Sequence, residues 1–398
     1  MRRVLLALVM LALLVVGAAA GAAWWLNDRL ETPYRGWPGD EVLLSIEPGT
    51  SATAILQRLE RAGVIENARL ARLHLVYRAG DPPLHAGDYR FDRAATAPEV
   101  LERLVEGDVV TYLVTLIEGL TLEESAQAIA AADFSTLEAL LAEMRDPSRI
   151  ADLDPEAETL EGYLYPETYR FRRDAPASLI VDRLVETFRE RFARDVAPLL
   201  AGVAWADVDV AGRGPDATPR ALEASSAPAG DRLPGEVSAQ EAGLDGRSTI
   251  GPVTSLRELV VLASIVERET QLDAERGQVA SVYVNRLERS IGLYADPTIV
   301  YALKRSGRWD GNIRKADLQM DDPYNTYVYG GLPPGPICSP TAASLAAVAA
   351  PDDTNYLYFV SRNDGTHVFA ETLAEHNRNV YTWQKLYWRE RRRAAADG

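Results

Sequence analysis

From Val4 to Leu26 the chain carries no charged residue. At about 1.5 Å per residue, a helix of that length crosses a hydrocarbon core of roughly 30 Å. The run therefore predicts one transmembrane helix. Arg2 and Arg3 favour a cytoplasmic N-terminus, and Trp24 and Trp25 suit the far interface, so the remaining chain is expected to face outward. Cleavage within Gly17 to Ala23 is the competing reading, because small residues after an apolar run resemble a signal-peptidase site. A cleaved apolar region is normally shorter, which favours the anchor.

The 398 residues, 47% of them hydrophobic, are enough for two or three domains with proper cores. With 58 acidic against 42 basic residues the formal net charge is -16, which argues against nucleic acid as a partner. The lone Cys338 excludes an internal disulfide framework and reads as a small filler in a Gly/Pro-rich loop. His74, His85, His367 and His376 are dispersed without metal-ligand spacing, so neither a metal nor another cofactor is expected.

After the anchor (1–27), residues 28–40 read as a polar tether. A repeat then appears. Val42–Ile46, Gly49, Ser51 and the pattern Ile55, Leu56, Leu59 resemble Leu113–Leu116, Gly119, Thr121 and the pattern Leu122, Ala126, Ile129. Each half reads as strand, glycine turn, Ser/Thr cap and amphipathic helix, and Thr121 with Glu124 makes a capping box. A strand over His85–Phe91 and a helix over Ala97–Glu106 complete a small α/β module over 41–110. Such a module fits a LysM-like glycan binder or a structural spacer.

Residues 111–398 read as one further α+β domain, with helices over Leu137–Arg149 and Leu179–Leu200 and an aromatic-rich stretch, Leu160–Phe171, around Pro166. Residues 202–249, rich in Gly, Pro, Ala, Ser and Asp, read as a flexible insertion. Helical spacing then returns. Asn363-Asp364-Gly365 predicts a hairpin between Tyr356–Val360 and His367–Phe369, and Leu373–Arg393 a final helix.

One acidic residue is out of place. Read as a helix, Ser255–Leu287 carries Leu256, Val260 and Ala263 on one stripe, and the next position on it is Glu267. Arg257, Glu258, Arg268, Asp273, Glu275 and Arg276 fall off the stripe, where water can solvate them. A carboxyl among apolar side chains is disfavoured as an anion, which suits a general acid. The alternative is that Glu267 pairs with an arginine or caps a neighbouring element.

The motifs LASIVERET (262–270), LEGYLYPETY (160–169), ADPT (295–298), YNTY (324–327) and GLPPGPI (331–337) resemble, in the same order, those of the endolytic murein transglycosylase family, the YceG-like proteins. The resemblance runs from the anchor to Gln384. It implies a single-pass enzyme of the inner membrane, its catalytic domain in the periplasm or otherwise outside the cytoplasmic membrane. It also implies internal cleavage of peptidoglycan strands between N-acetylmuramic acid and N-acetylglucosamine, leaving a 1,6-anhydro end, close to peptidoglycan synthases. The implied fold is a LysM-like module followed by an α+β catalytic domain with a central catalytic helix. The family's catalytic glutamate falls on Glu267, and motif membership makes Glu161, Tyr165, Glu269, Asn285, Asp296 and Asn325 candidates for sugar contacts or for tuning it. Two departures stand out: the length of 202–249, and Tyr294-Ala295 where the family more often has Gln-Thr.

One carboxyl suffices for such a reaction, because it can protonate the leaving oxygen and then deprotonate the muramyl 6-hydroxyl. A hydrolysing muramidase would need a second carboxylate, with Glu269 or Asp296 activating water. A non-catalytic glycan-binding scaffold for a synthase is the third reading.

Overall fold

The computed structural model describes residues 2–201, 203, 251–389 and 391, leaving aside the side chains at 2–8, 12, 19, 22 and 23. The insertion expected at 202–249 lies outside the described residues apart from Val203. Helices alternate with short strand pairs, an α+β architecture, in two compact units.

The first unit, Met1–Leu113 with Arg170–Asp174, begins with α1 (Arg2–Glu31). The Val4–Leu26 run lies within α1, but over the described residues no helix is long and apolar enough to cross a membrane. β1 (Val42–Ile46), α2 (Ala52–Arg61), α3 (Ala68–Tyr77), β2 (Gly87–Phe91) and α4 (Ala97–Glu106) follow. β1 and β2 are antiparallel, with Val42 opposite Phe91 and Ile46 opposite Gly87. Alternation along β1 turns Ile46 inward and Leu43 outward. Ser51 accepts the Ala54 amide to start α2, whose Ile55, Leu56 and Leu59 join Leu75, Tyr89 and Leu104 in the core. α4 opens on a Thr96–Glu99 capping box.

Two features differ from the sequence reading. α3, capped by Asn67, is a helix that the reading did not separate. Its inward positions include small Ala68 and Ala71 while Tyr77 is exposed, which blurs the apolar stripe. The tether is also held down: α1 extends to Glu31, Tyr34 bridges to Ala95, and Trp37 is buried in the core.

The second unit is Val114–Tyr169 with Ala175–Gly398. β3 (Tyr112–Thr115) leads into α5 (Leu122–Ala131) and α6 (Leu137–Met144), and β4 (Thr168–Phe171) pairs with β3. α7 (Ala177–Arg191) continues through a π turn, Phe192–Val196, and a tight turn, Ala197–Leu200. Then come α8 (Leu256–Glu269), α9 (Asp273–Glu288), α10 (Asp296–Arg305) and α11 (Ala342–Ala349). The expected hairpin forms as β5 (Tyr358–Ser361) antiparallel to β6 (His367–Ala370), and α12 (Leu373–Val380) follows.

α8 is the centre of this unit. Every residue from Leu259 to Glu267 is buried, so the helix is enclosed on all sides rather than along one stripe. α9 and α11 pack on it and on each other. The stretch 255–287 is not one helix. Thr270 is extended at φ -139 and ψ 140, and its hydroxyl accepts the Leu272 amide at 3.1 Å, turning the chain into α9. No glycine or proline marks that break in the sequence.

Candidate active site

Glu267 lies in the last turn of α8 with 7% of its surface exposed. The burial agrees with its stripe position, but its surroundings are not purely apolar: Glu267 pairs with an arginine and caps a neighbouring helix, as the alternative reading of the sequence had it. Arg276, expected in water, is buried in the first turns of α9 and faces it. Arg276 Nη1 stands 3.3 Å from Glu267 Oε1 and donates to Ser344 Oγ at 2.7 Å, while its Nε donates to Asp273 Oδ1 at 2.9 Å. A guanidinium spanning three partners in a fixed fork is pre-organised, and its orientation is set before any ligand arrives.

The other carboxylate oxygen is held by the N-terminus of α11. Thr341, the N-cap, donates to Glu267 Oε2 through its amide at 2.8 Å and its hydroxyl at 2.7 Å. Charge-assisted bonds of this kind are the strong ones, and a helix N-terminus favours negative charge. Tyr165 supports the same point, since its hydroxyl accepts the Ala342 amide at 3.2 Å.

The glycine turn before α5 closes the third side. Gly119 has φ +71, a conformation that glycine adopts without strain. A Cβ there would come within 3.1 Å of Arg268 Cδ and 3.8 Å of Glu267 Cγ. Backbone bonds from Ser339 N to Leu120 O and from Gly119 N to Ser339 O tie this turn to the segment that leads to Thr341. Cys338 in that segment is fully buried, donates to Ser264 O at 3.3 Å, and has its thiol pushed well up by burial.

The other sequence candidates are placed as follows. Glu161 caps α5, accepting the Leu122 amide at 3.0 and 3.1 Å and the Tyr301 hydroxyl at 3.3 Å, and burial pushes its carboxyl up to about 8. Glu269 ends α8 and accepts the Tyr283 hydroxyl at 2.6 Å; burial, with nearby Asp296 adding to it, pushes it up to about 7. Asp296 opens α10, is exposed, and accepts the Tyr327 hydroxyl at 2.7 Å.

Asn285 and Asn325 serve the scaffold. Asn285 donates to Thr354 O and Tyr356 O, and borders an acidic cavity of about 240 Å³ with Glu288, Asp352 and Asp353. Asn325 is fully buried, with its amide on the carbonyls of Asp317, Leu318 and Met320. Sequence reasoning missed Arg276, Thr341 and Gly119 as neighbours of Glu267. Thr341 left a usable signal, a threonine opening an Ala-rich helix beyond the Gly/Pro loop.

The site is a buried carboxyl on the central helix of an α+β unit, held on one oxygen by a helix N-terminus and facing an arginine on the other. The chain belongs to the YceG-like family, whose family model matches residues 44–227 and 228–382. It is 27% identical over 381 residues to the endolytic murein transglycosylase of Bacillus subtilis strain 168, covering 90% of this chain and 89% of that one. It is 25% identical over 405 residues to the endolytic murein transglycosylase of Streptococcus pneumoniae serotype 2, covering 94% of this chain and 63% of the relative. The 2.6 Å crystal structure of a YceG-like protein from Listeria monocytogenes aligns with TM-score 0.50 at 28% identity, over 85% of this chain and 98% of that one.

Proposed function

We propose that this chain is an endolytic peptidoglycan lytic transglycosylase in which Glu267 acts first as acid and then as base. The observation that carries the reading is the buried, doubly clamped Glu267 in a chain whose relatives bear that name. Oε2 is engaged twice by Thr341, whereas Oε1 has one longer contact, to Arg276. Proton transfer is therefore assigned to Oε1. Glu267, the ion-pair partner of Arg276 in the free chain, first takes up a proton from solvent at Oε1. That proton goes to the oxygen linking N-acetylmuramic acid to N-acetylglucosamine as the bond to C1 breaks. The carboxylate then takes the proton of the muramyl 6-hydroxyl, whose oxygen closes on C1 as the 1,6-anhydro ring. One proton leaves and one returns, and no water is consumed.

Digestion in heavy-oxygen water tests the reaction type. A lytic transglycosylase incorporates no heavy oxygen at the new end; a muramidase incorporates one atom and would overturn the reading. The muramidase and scaffold readings are not favoured by the relatives.

Three further parts belong to this proposal. Residues 41–110 are a LysM-like module that holds the strand, a reading supported by two helices between antiparallel strands. α1 is a single-pass anchor in the cytoplasmic membrane, with the rest of the chain on its outer side. It is supported by the uncharged run and by exposed Leu13, Leu14, Val16 and Trp24. Retention of the chain in membranes through an alkaline carbonate wash tests the anchor, and release contradicts it. Placement beside a peptidoglycan synthase would let cleavage end strand elongation.

A further inference from the structure

Tyr294 lies just before α10, and its surroundings hold the ring in place. Its backbone has φ +47, a left-handed conformation that a bulky side chain rarely adopts. The ring lies over Gly292, where a Cβ would come within 2.9 Å of Tyr294 Cζ and 3.2 Å of both Cε atoms. Any side chain at 292 would displace it. Tyr327 meets the ring in a T-shaped contact, with centroids 5.4 Å apart and planes at 63°. The Tyr294 amide reaches Thr326 O at 3.4 Å, and the Ala295 amide donates to Thr326 Oγ1 at 3.0 Å.

So supported, Tyr294 still exposes 51% of its surface. An exposed ring held by strained backbone, a glycine and a second aromatic is costly to maintain as bare surface. Beside it, the Tyr327 hydroxyl donates to Oδ1 of exposed Asp296. Asp296 in turn acts electrostatically on Glu269, two residues beyond Glu267 in the last turn of α8. α10, which Asp296 opens, packs on α8, the helix that carries Glu267.

We infer that Tyr294, braced by Gly292 and Tyr327 and flanked by Asp296, is a sugar-stacking subsite taking one pyranose ring of the glycan strand. It rests on the reading of Glu267 as the group that cleaves such strands. The aromatic face covers the C–H face of the ring, and Asp296 accepts a sugar hydroxyl or an N-acetyl N–H. The subsite binds sugar away from the reacting bond, so it acts on affinity and leaves the chemical step alone.

The test uses the full chain in detergent with un-crosslinked glycan strands. Tyr294→Asn removes the ring while asparagine tolerates the left-handed backbone; Tyr294→Phe keeps it. The asparagine variant is expected to raise KM by about five-fold, with kcat within about two-fold of the parent and the phenylalanine variant near the parent. An unchanged KM, a loss confined to kcat, or a phenylalanine variant as weak as asparagine overturns the subsite. Strand binding by the same variants on a Glu267→Gln background separates the two claims. Weaker binding by the asparagine variant supports the subsite even if the parent proves unable to cleave. Unchanged binding with normal cleavage by the parent removes the subsite and leaves the function standing.

Discussion

Thr341 bonds a single oxygen of Glu267 twice, through its amide at 2.8 Å and its hydroxyl at 2.7 Å. The two residues are brought together by the packing of α11 on α8. The amide contact belongs to the backbone and survives substitution, whereas the hydroxyl does not. Thr341→Val keeps the shape and removes one charge-assisted bond, worth roughly 1.5–3 kcal/mol. We expect kcat to fall by roughly ten- to a hundred-fold with KM little changed, and Thr341→Ser to restore most of it. A valine variant with parental kcat would show that the hydroxyl does not orient Glu267.

Arg276 and Glu267 form a buried ion pair, with side chains 9% and 3% exposed. Removing one member of such a pair leaves the other charge buried without its partner. Arg276→Leu is expected to destabilise the fold by roughly 3 kcal/mol, seen as a lower urea midpoint. Adding Glu267→Gln to that variant should recover part of the loss, because the unpaired charge is gone. Strictly additive losses in the double variant would contradict the pairing.

The pH dependence follows from Glu161, whose carboxyl burial pushes up to about 8. In the unfolded chain the same group titrates near about 4.3, so between these values the folded state holds a proton that the unfolded state has released. Its contribution is therefore fully present below the unfolded value and is lost as pH rises through the folded one. Each unit of difference is worth about 1.4 kcal/mol. Urea midpoints measured from about pH 5 to about pH 9 should fall for the parent and fall less for Glu161→Gln, which has no proton to lose. Parallel curves would remove Glu161 as the source.

These placements show what could be read from the chain and what could not. The strand, glycine, cap and helix of each repeat were legible because they rest on local chemistry: Ser51 and Thr121 cap α2 and α5, and Gly49 and Gly119 take positive φ. The inward position of Glu267 was legible from helical spacing. Its partners were not. Arg276 reaches it through a turn at Thr270 made without glycine or proline, and Thr341 lies 74 positions along the chain. Asn325 stood in a motif that resembled a substrate contact, yet its amide is spent on three backbone carbonyls, a use that depends on how the 317–320 segment folds back.

Cys338 gives a test of the packing around the site. It is fully buried against Ser264, with its thiol raised by burial, so the reactive thiolate is both scarce and inaccessible. A thiol reagent should leave the native chain unlabelled and label one site after denaturation. Rapid labelling of the native chain would mean that the segment carrying Ser339 and Thr341 opens to solvent.

The most direct measurement is mass spectrometry of un-crosslinked glycan strands digested by the full chain, with Glu267→Gln run alongside. Glutamine keeps the volume of Glu267 and can still accept from Thr341, but has no proton to transfer. The account predicts internal fragments ending in 1,6-anhydro-muramic acid from the parent and none from the variant. Fragments with free reducing ends, or anhydro ends that persist in the variant, would contradict it.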